Sequence, residues 1–239
     1  MFAMEPLHKR INSTSHAECP VKGNHAYGMG YDSTSDDYKI LKIDVDIDDG
    51  RKVSSEILAL KNVSRRKIDR HPSDICYVLS GGNSLAFVHG AFHWLGFSQN
   101  YSMVSFSISN EVYKEIQLPE QICLGSMYNK FDVSVLEGML CVYSTSIRKQ
   151  STFSFWLMKD YGVKESWTKL FTIRDTEIYL AIPKYRFADG EVLLRCIHAE
   201  SCGPLFRTSK GPFGLWPQGD IFQDGFVFTE SLISPKLLT

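Results

Sequence analysis

The sequence has no excess of charge of either sign: 26 Lys and Arg stand against 27 Asp and Glu, a formal charge of -1 over 239 residues. Nothing in that balance would gather phosphate backbones or anionic lipid, so a general nucleic-acid or membrane-surface binder is disfavoured. Long apolar runs are missing as well. The longest span a few residues, against the roughly 20 needed to cross a bilayer, and Met1–Arg10 lacks the apolar core of a secretory signal. A soluble protein of the cytoplasm or nucleus is expected. The six cysteines (Cys19, Cys76, Cys123, Cys141, Cys196, Cys202) include no CxxC pair, which fits free thiols in a reducing compartment better than a disulfide frame. Helical periodicity is scarce too.

What is present is ordinary for a folded chain, with 44% apolar and 22% charged residues, and the 13% aromatic content leans towards β structure. Short apolar stretches with period-2 character recur between Gly, Asn, Asp and Ser, an all-β pattern. Expected strands include Tyr38–Asp44, Glu56–Leu60, Ser84–Val88, Ala91–Phe97, Ser102–Ile108, Phe131–Val135, Met139–Tyr143, Phe153–Met158, Val192–Cys196 and Phe226–Thr229.

These strands repeat. Val88-His-Gly90-Ala-Phe-His-Trp-Leu, Leu136-Glu-Gly138-Met-Leu-Cys-Val-Tyr and Ala188-Asp-Gly190-Glu-Val-Leu-Leu-Arg each place a Gly-closed turn before an apolar strand. A third strand follows at Glu56–Leu60, Val104–Ile108 and Phe153–Met158, and a short fourth at Arg65–Ile68, Tyr113–Leu118 and Trp167–Ile173. Four strands recurring every roughly 40 to 50 residues are the sign of propeller blades. The units are expected at about 27–70, 73–119 and 128–173, with a more degenerate fourth from 176 onward; a β-sandwich with evenly spaced hairpins is the alternative. Residues 1–18 fall in no unit and read as a loose leader, leaving 19–239 as the domain.

Tyr27-Gly-Met-Gly-Tyr-Asp-Ser-Thr-Ser-Asp-Asp-Tyr-Lys-Ile40, the hairpin Gly90–Leu95, the string Phe155-Trp-Leu-Met-Lys-Asp-Tyr-Gly-Val-Lys-Glu-Ser-Trp-Thr-Lys-Leu170 and Glu230-Ser-Leu-Ile-Ser-Pro235 resemble the F-box-associated interaction domain of plant F-box proteins. Within that kelch-like group the S-locus F-box branch is nearest. The resemblance covers about residues 19–235. It implies a kelch-like propeller that recruits substrates to a Skp1-cullin-F-box ubiquitin ligase, with a protein targeted for ubiquitination as partner. Two departures stand out. Only 26 residues precede Tyr27, where the family carries an F-box and a first propeller segment, so the array is expected to be incomplete and not to bind Skp1 by itself. In addition, Asn62-Val-Ser-Arg-Arg66 replaces an Asn-Ser-Trp-like turn, removing an aromatic from the edge of the first unit.

Chemistry-bearing patterns are weak. Asp44-Val-Asp-Ile-Asp-Asp-Gly50 departs from a calcium loop, with Asp49 where the sixth position needs Gly and Ser55 where the twelfth needs Glu. His89 and His93 would lie roughly 13 Å apart on a strand, too far to share a metal, and read as hairpin and edge histidines. There is no Gly-x-Ser-x-Gly elbow and no phosphate-cradling loop with Lys. Trp94, Trp156 and Trp167 read as blade core, and Tyr161–Trp167 as a polar loop hinged on Gly162. No catalytic residue, metal or cofactor is expected. A propeller hydrolase or oxidase, and a truncated copy without a partner, are the alternative functions.

In a meander, the connections from strand two to three and from strand four to the next unit emerge on one face. Two such connections, Ser98–Ser102 and Ser144–Gln150, are polar and without core duty, which makes Gln99, Asn100, Tyr101, Arg148, Lys149 and Gln150 the expected protein-binding residues.

Overall fold

The computed structural model describes residues 24–46, 53–68, 76–78, 85–97, 100–123, 129–146, 152–174, 178–198, 202–207 and 214–215. The leader at 1–18 and the strand expected at Phe226–Thr229 lie outside them. Four antiparallel sheets follow one another along the chain, each built from strands consecutive in sequence. Sheet 1 holds β1 (Asn24–Asp32), β2 (Asp37–Val45), β3 (Val53–Ala59) and β4 (Ser64–Ile68). Sheet 2 holds β5 (Cys76–Val78), β6 (Ala86–Val88), β7 (Ala91–Phe97), β8 (Tyr101–Ser107) and β9 (Tyr113–Ile116). After α1 (Glu120–Cys123) come sheet 3, with β10 (Asn129–Leu136), β11 (Met139–Ser146), β12 (Thr152–Met158) and β13 (Trp167–Arg174), and sheet 4, with β14 (Ile178–Arg186), β15 (Val192–His198), β16 (Cys202–Arg207) and β17 (Gly214–Leu215). The fold is all-β and propeller-like, and the repeat boundaries expected from sequence coincide with the sheets.

Gly90, Gly138 and Gly190 occupy equivalent turns, just before the central strands β7, β11 and β15. Their φ angles are 69°, 74° and 87°, and the residues before the first two, His89 and Glu137, are also positive at 49° and 53°. Positive φ at both central positions gives the turn the twist of its flanking strands, and glycine adopts it without a Cβ penalty.

Successive sheets pack through their early strands: β1 against β6 and β7, these against β10, and β10 against β14. Three cores result, one between each pair of neighbours. Sheets 2 and 3 are buried on both faces, so every residue of Ala91–Gly96 and Phe153–Met158 is buried. In β7, Phe92 and Trp94 face sheet 1 while Leu95 faces sheet 3. β2 instead alternates, with Leu41, Ile43 and Val45 turned to sheet 2. A period of two thus survives only where one face is open.

Two features differ from the four-strand expectation. Sheet 2 has five strands because β5 and β6 share one side of β7, pairing Cys76–Val78 with Leu95–Phe97 and Ala86–Val88 with Ala91–His93. The helix α1 was not expected; at four residues it is too short to show a helical period. Pro119 accepts the Ile122 N–H at 2.9 Å, and Ile122 with Leu118 fills the core between sheets 2 and 3.

Candidate protein-recognition faces

Strand reversal gives the array two ends: a turn face, built from the links between strands one and two and between three and four, and a connection face, built from the others. On the turn face, polar groups of neighbouring sheets bind each other. Asp32, 1% exposed at the end of β1, accepts hydrogen bonds from the Thr34 N–H at 3.0 Å and from Ser35 Oγ and Lys39 Nζ at 2.6 Å each. Ser109, on the β8–β9 turn of sheet 2, donates to the same carboxylate at 2.6 Å. Burial alone would raise the Asp32 pKa, but the Lys39 ammonium and the three further donors hold it well below the ordinary carboxylate range.

The next pair of sheets repeats this arrangement with other chemistry. Tyr161, on the β12–β13 turn, places its hydroxyl 2.8 Å from His93 Nε2 and its ring 4.6 Å from that of His89. His93 Nδ1 lies 3.4 Å from the Ala86 carbonyl, which can only accept, so the ring carries its proton on Nδ1 and takes the tyrosine hydrogen at Nε2. Burial, with His89 nearby, pushes the His93 pKa down to about 4. Between sheets 3 and 4, Arg186 reaches Glu137 at 3.0 Å. His93 is therefore no edge histidine: it is 1% exposed in β7, hydrogen-bonded along both sides, and a loop expected to be only a polar hinge supplies its partner.

Gly28 and Gly30 belong to the same closure. A Cβ on Gly28 would stand 2.6 Å from the Phe92 ring and one on Gly30 2.3 Å from the Phe87 ring, so the two glycines let sheet 2 aromatics seat against the β1 backbone. Trp167 donates its indole N–H to the Gln117 carbonyl at 3.0 Å, joining sheet 3 to the exit of sheet 2. Where β13 starts with Trp167, β4 starts with Ser64, and sheet 1 makes an ionic contact instead, Arg66 with Glu111. Beside it lies a cleft of about 310 Å3 lined by Lys39, Ile57, Lys61 and Arg66. Its cations are already paired, with Asp32, Asp36 and Glu111 respectively.

Of the expected binding residues, Asn100 and Tyr101 are described and lie on the connection face. Gln99, Arg148, Lys149 and Gln150 lie outside the described residues. Asn100 is exposed. Tyr101 differs from expectation, because it opens β8 with its ring 5.1 Å from Phe97 and 4.7 Å from Phe131 of sheet 3. It is half-buried, burial raises its phenol pKa, and it does core work that the loop pattern does not reveal. The Cys141 thiol is pushed up to about 12 by burial, which keeps it protonated. Among the described residues no three His, Cys, Asp or Glu side chains are grouped to hold a metal, and no helix is long and apolar enough to cross a membrane.

Comparison with known proteins places this architecture. The chain is 31% identical over 173 residues to the F-box protein CPR1 of Arabidopsis thaliana, covering 64% of this chain and 41% of that protein. It is 27% identical over 238 residues to the F-box/kelch-repeat protein At3g23880 of the same plant, covering 96% of this chain and 62% of that one. A third relative, the Arabidopsis F-box protein At3g07870, is 29% identical over 192 residues. The chain thus spans between two fifths and two thirds of the length of the relatives it matches. The F-box associated beta propeller domain matches residues 12–197, well over half the chain and including the first three sheets, and the protein belongs to that family.

Proposed function

We propose that this chain is the target-binding module of a Skp1-cullin-F-box-type ubiquitin ligase, acting by protein recognition with no chemistry of its own. The family match across most of the chain carries the reading, and F-box proteins among its relatives support it. Targets dock on the connection face, at Gln99, Asn100, Arg148, Lys149 and Gln150, with Tyr101 as a fixed aromatic rim. On the turn face, Asp32, Ser109, Tyr161, Glu137 and Arg186 spend their polar groups on one another, and that occupancy favours the opposite end for recognition.

The test is capture from plant extract on the immobilised chain, identification of the bound protein, and calorimetry with the purified target. Asn100→Ala with Arg148→Ala and Lys149→Ala should weaken binding at least about tenfold, the scale of a lost hot spot. Asn110→Ala on the turn face should leave affinity unchanged. Tyr101 is spared because its ring holds sheets 2 and 3 together. Undiminished affinity in a folded triple variant would remove the connection face from the proposal.

A further inference from the structure

The turn between β1 and β2 carries three consecutive hydroxyls, Ser33, Thr34 and Ser35, followed by Asp36 and Asp37. Pairing of the two strands stops at Asp32 with Asp37, so the reversal takes the four residues Ser33–Asp36, whereas sheets 2 and 3 reverse in two, at His89–Gly90 and Glu137–Gly138. All four residues of the longer turn are exposed. Turns at this place in a sheet reach forward: His89 meets Tyr161 and Glu137 meets Arg186, each on the sheet that follows. The Ser33–Asp36 turn accordingly belongs to the junction of sheet 1 with sheet 2.

One of its hydroxyls is wired into that junction. Ser35 Oγ donates at 2.6 Å to Oδ2 of Asp32, the oxygen that also receives Lys39 Nζ, while Oδ1 receives Ser109 of sheet 2. Lys39 Nζ also reaches the Ile108 carbonyl of sheet 2 at 3.3 Å. Asp32 is 1% exposed, so its charge is tolerated only while these donors surround it. An exposed hydroxyl thus stands beside the buried charge that ties the two sheets together. Thr34 meets the same carboxylate through its backbone N–H, which modification of its side chain leaves in place.

We propose that Ser35 is a phosphorylation site for a serine/threonine kinase that selects acidic residues beside its target, and that the phosphate unlatches sheet 1 from sheet 2. Asp36, with a 74% exposed side chain, offers such a kinase the acidic neighbour that a basic substrate groove distinguishes. In the transfer, Ser35 Oγ bonds to the γ-phosphorus of ATP as the bond from that phosphorus to the bridging oxygen breaks; ADP leaves, and the hydroxyl proton passes to the kinase's base. The product carries a charge of about -1.5 to -2 at neutral pH. Turned inward, it no longer donates to Asp32, sets like charge against a buried carboxylate, and draws Lys39 away from it. Turned outward into the cleft that Ser35 lines, it competes with Glu111 of sheet 2 for Arg66. Either way the junction loses a tie. This inference does not depend on the proposed ligase role.

The test treats the 239-residue chain with ATP and a purified kinase selective for acidic substrates, maps the phosphate by mass spectrometry, and times cleavage by trypsin. Phosphate at Ser35 is expected. Cleavage after Lys42, which requires β2 to open, should then be about tenfold faster, with cleavage after Lys169 in sheet 3 unchanged. Phosphatase should restore the original rate. Ser35→Ala should show no effect of the kinase on cleavage after Lys42. If that variant fails to fold, Ser33→Ala with Thr34→Ala leaves Ser35 as the turn's one hydroxyl and should respond as the wild type does. Absence of phosphate from the turn, phosphate confined to Ser33 or Thr34, or phosphate at Ser35 with unchanged cleavage overturns the proposal.

Discussion

The hydroxyl of Tyr161 and Nε2 of His93 stand 2.8 Å apart although 68 residues separate them in the chain, and they join two sheets at the turn face. The imidazole is buried and neutral, and its lone pair is committed to the phenol.

From this relationship a pH dependence follows. The His93 pKa is about 4 in the folded protein against an ordinary value of about 6.5, so the folded state disfavours the proton. As pH falls from about 6.5 to about 4 the unfolded chain takes up that proton first, and stability declines across the window. The contribution is complete above the upper limit and gone below the lower one. At 1.36 kcal/mol per unit the loss from this group is about 3 kcal/mol. Urea unfolding across the window should show that decline in the wild type and a flatter profile in His93→Gln. Equal slopes in the two proteins would contradict the assignment.

Tyr161→Phe removes only the hydroxyl and leaves Nε2 of His93 without its partner. The expected cost at pH 7 is about 1–2 kcal/mol, the penalty for one buried unsatisfied acceptor. Combined with His93→Gln, the two changes should be clearly non-additive. A double-mutant cycle by urea denaturation with a coupling near zero would mean that the pair does not interact in solution.

Gly30→Ala would drive a methyl into the Phe87 ring at 2.3 Å, where no side-chain rotation of the alanine can help. Overpacking of this kind costs about 1–3 kcal/mol. The φ of Gly190 is 87° and a Cβ there meets nothing within 4 Å, so Gly190→Ala should cost about 1–2 kcal/mol from backbone strain alone. Thermal unfolding of each variant with and without Phe87→Leu separates the two causes: the smaller side chain should rescue Gly30→Ala and leave Gly190→Ala unaffected.

Asp32→Ala strips one carboxylate from four donors at once and leaves Lys39, whose side chain is 13% exposed, without its counter-ion. A loss of about 3 kcal/mol is expected, and Asp32→Asn, which keeps an acceptor, should lose less. Because the carboxyl titrates below its ordinary range, its contribution is present above about pH 4 and fades as the solution becomes more acid. Chemical denaturation at neutral pH measures the first effect. An Asp32→Ala protein as stable as the wild type would show that the hub is not needed to hold sheets 1 and 2 together.

Much of this fold was legible because its repeat is written in local chemistry. Gly90 and Gly138 are needed at turns of fixed geometry, and the apolar strands after them are short enough to leave period-2 traces, so unit boundaries follow from residues close in sequence. The Tyr27–Ile40 segment pointed to the family, and the structure adds the reasons: Gly28 and Gly30 admit two phenylalanines, and Asp32 collects four donors. What could not be read depends on distant pairs. Tyr161 against His93, Ser109 against Asp32 and Tyr101 against Phe131 are each set by how one sheet lies on the next, and nothing near Tyr161 signals a histidine far upstream. The division of the first strand of sheet 2 into β5 and β6 was likewise hidden, since both halves have strand composition.

Among the described residues the main contacts between sheets run from each sheet to the ones before and after it, so stability there behaves as a sum of nearest-neighbour couplings. Within those residues sheets 2 and 3 each pack against two neighbouring sheets, whereas sheets 1 and 4 each pack against one, so the inner sheets are expected to open last. The carboxylate of Asp32 and the seats beneath Phe87 and Phe92 then act as the latch that delays opening of sheet 1, and amide exchange should be faster in β2 and β3 than in β7, β8, β11 and β12.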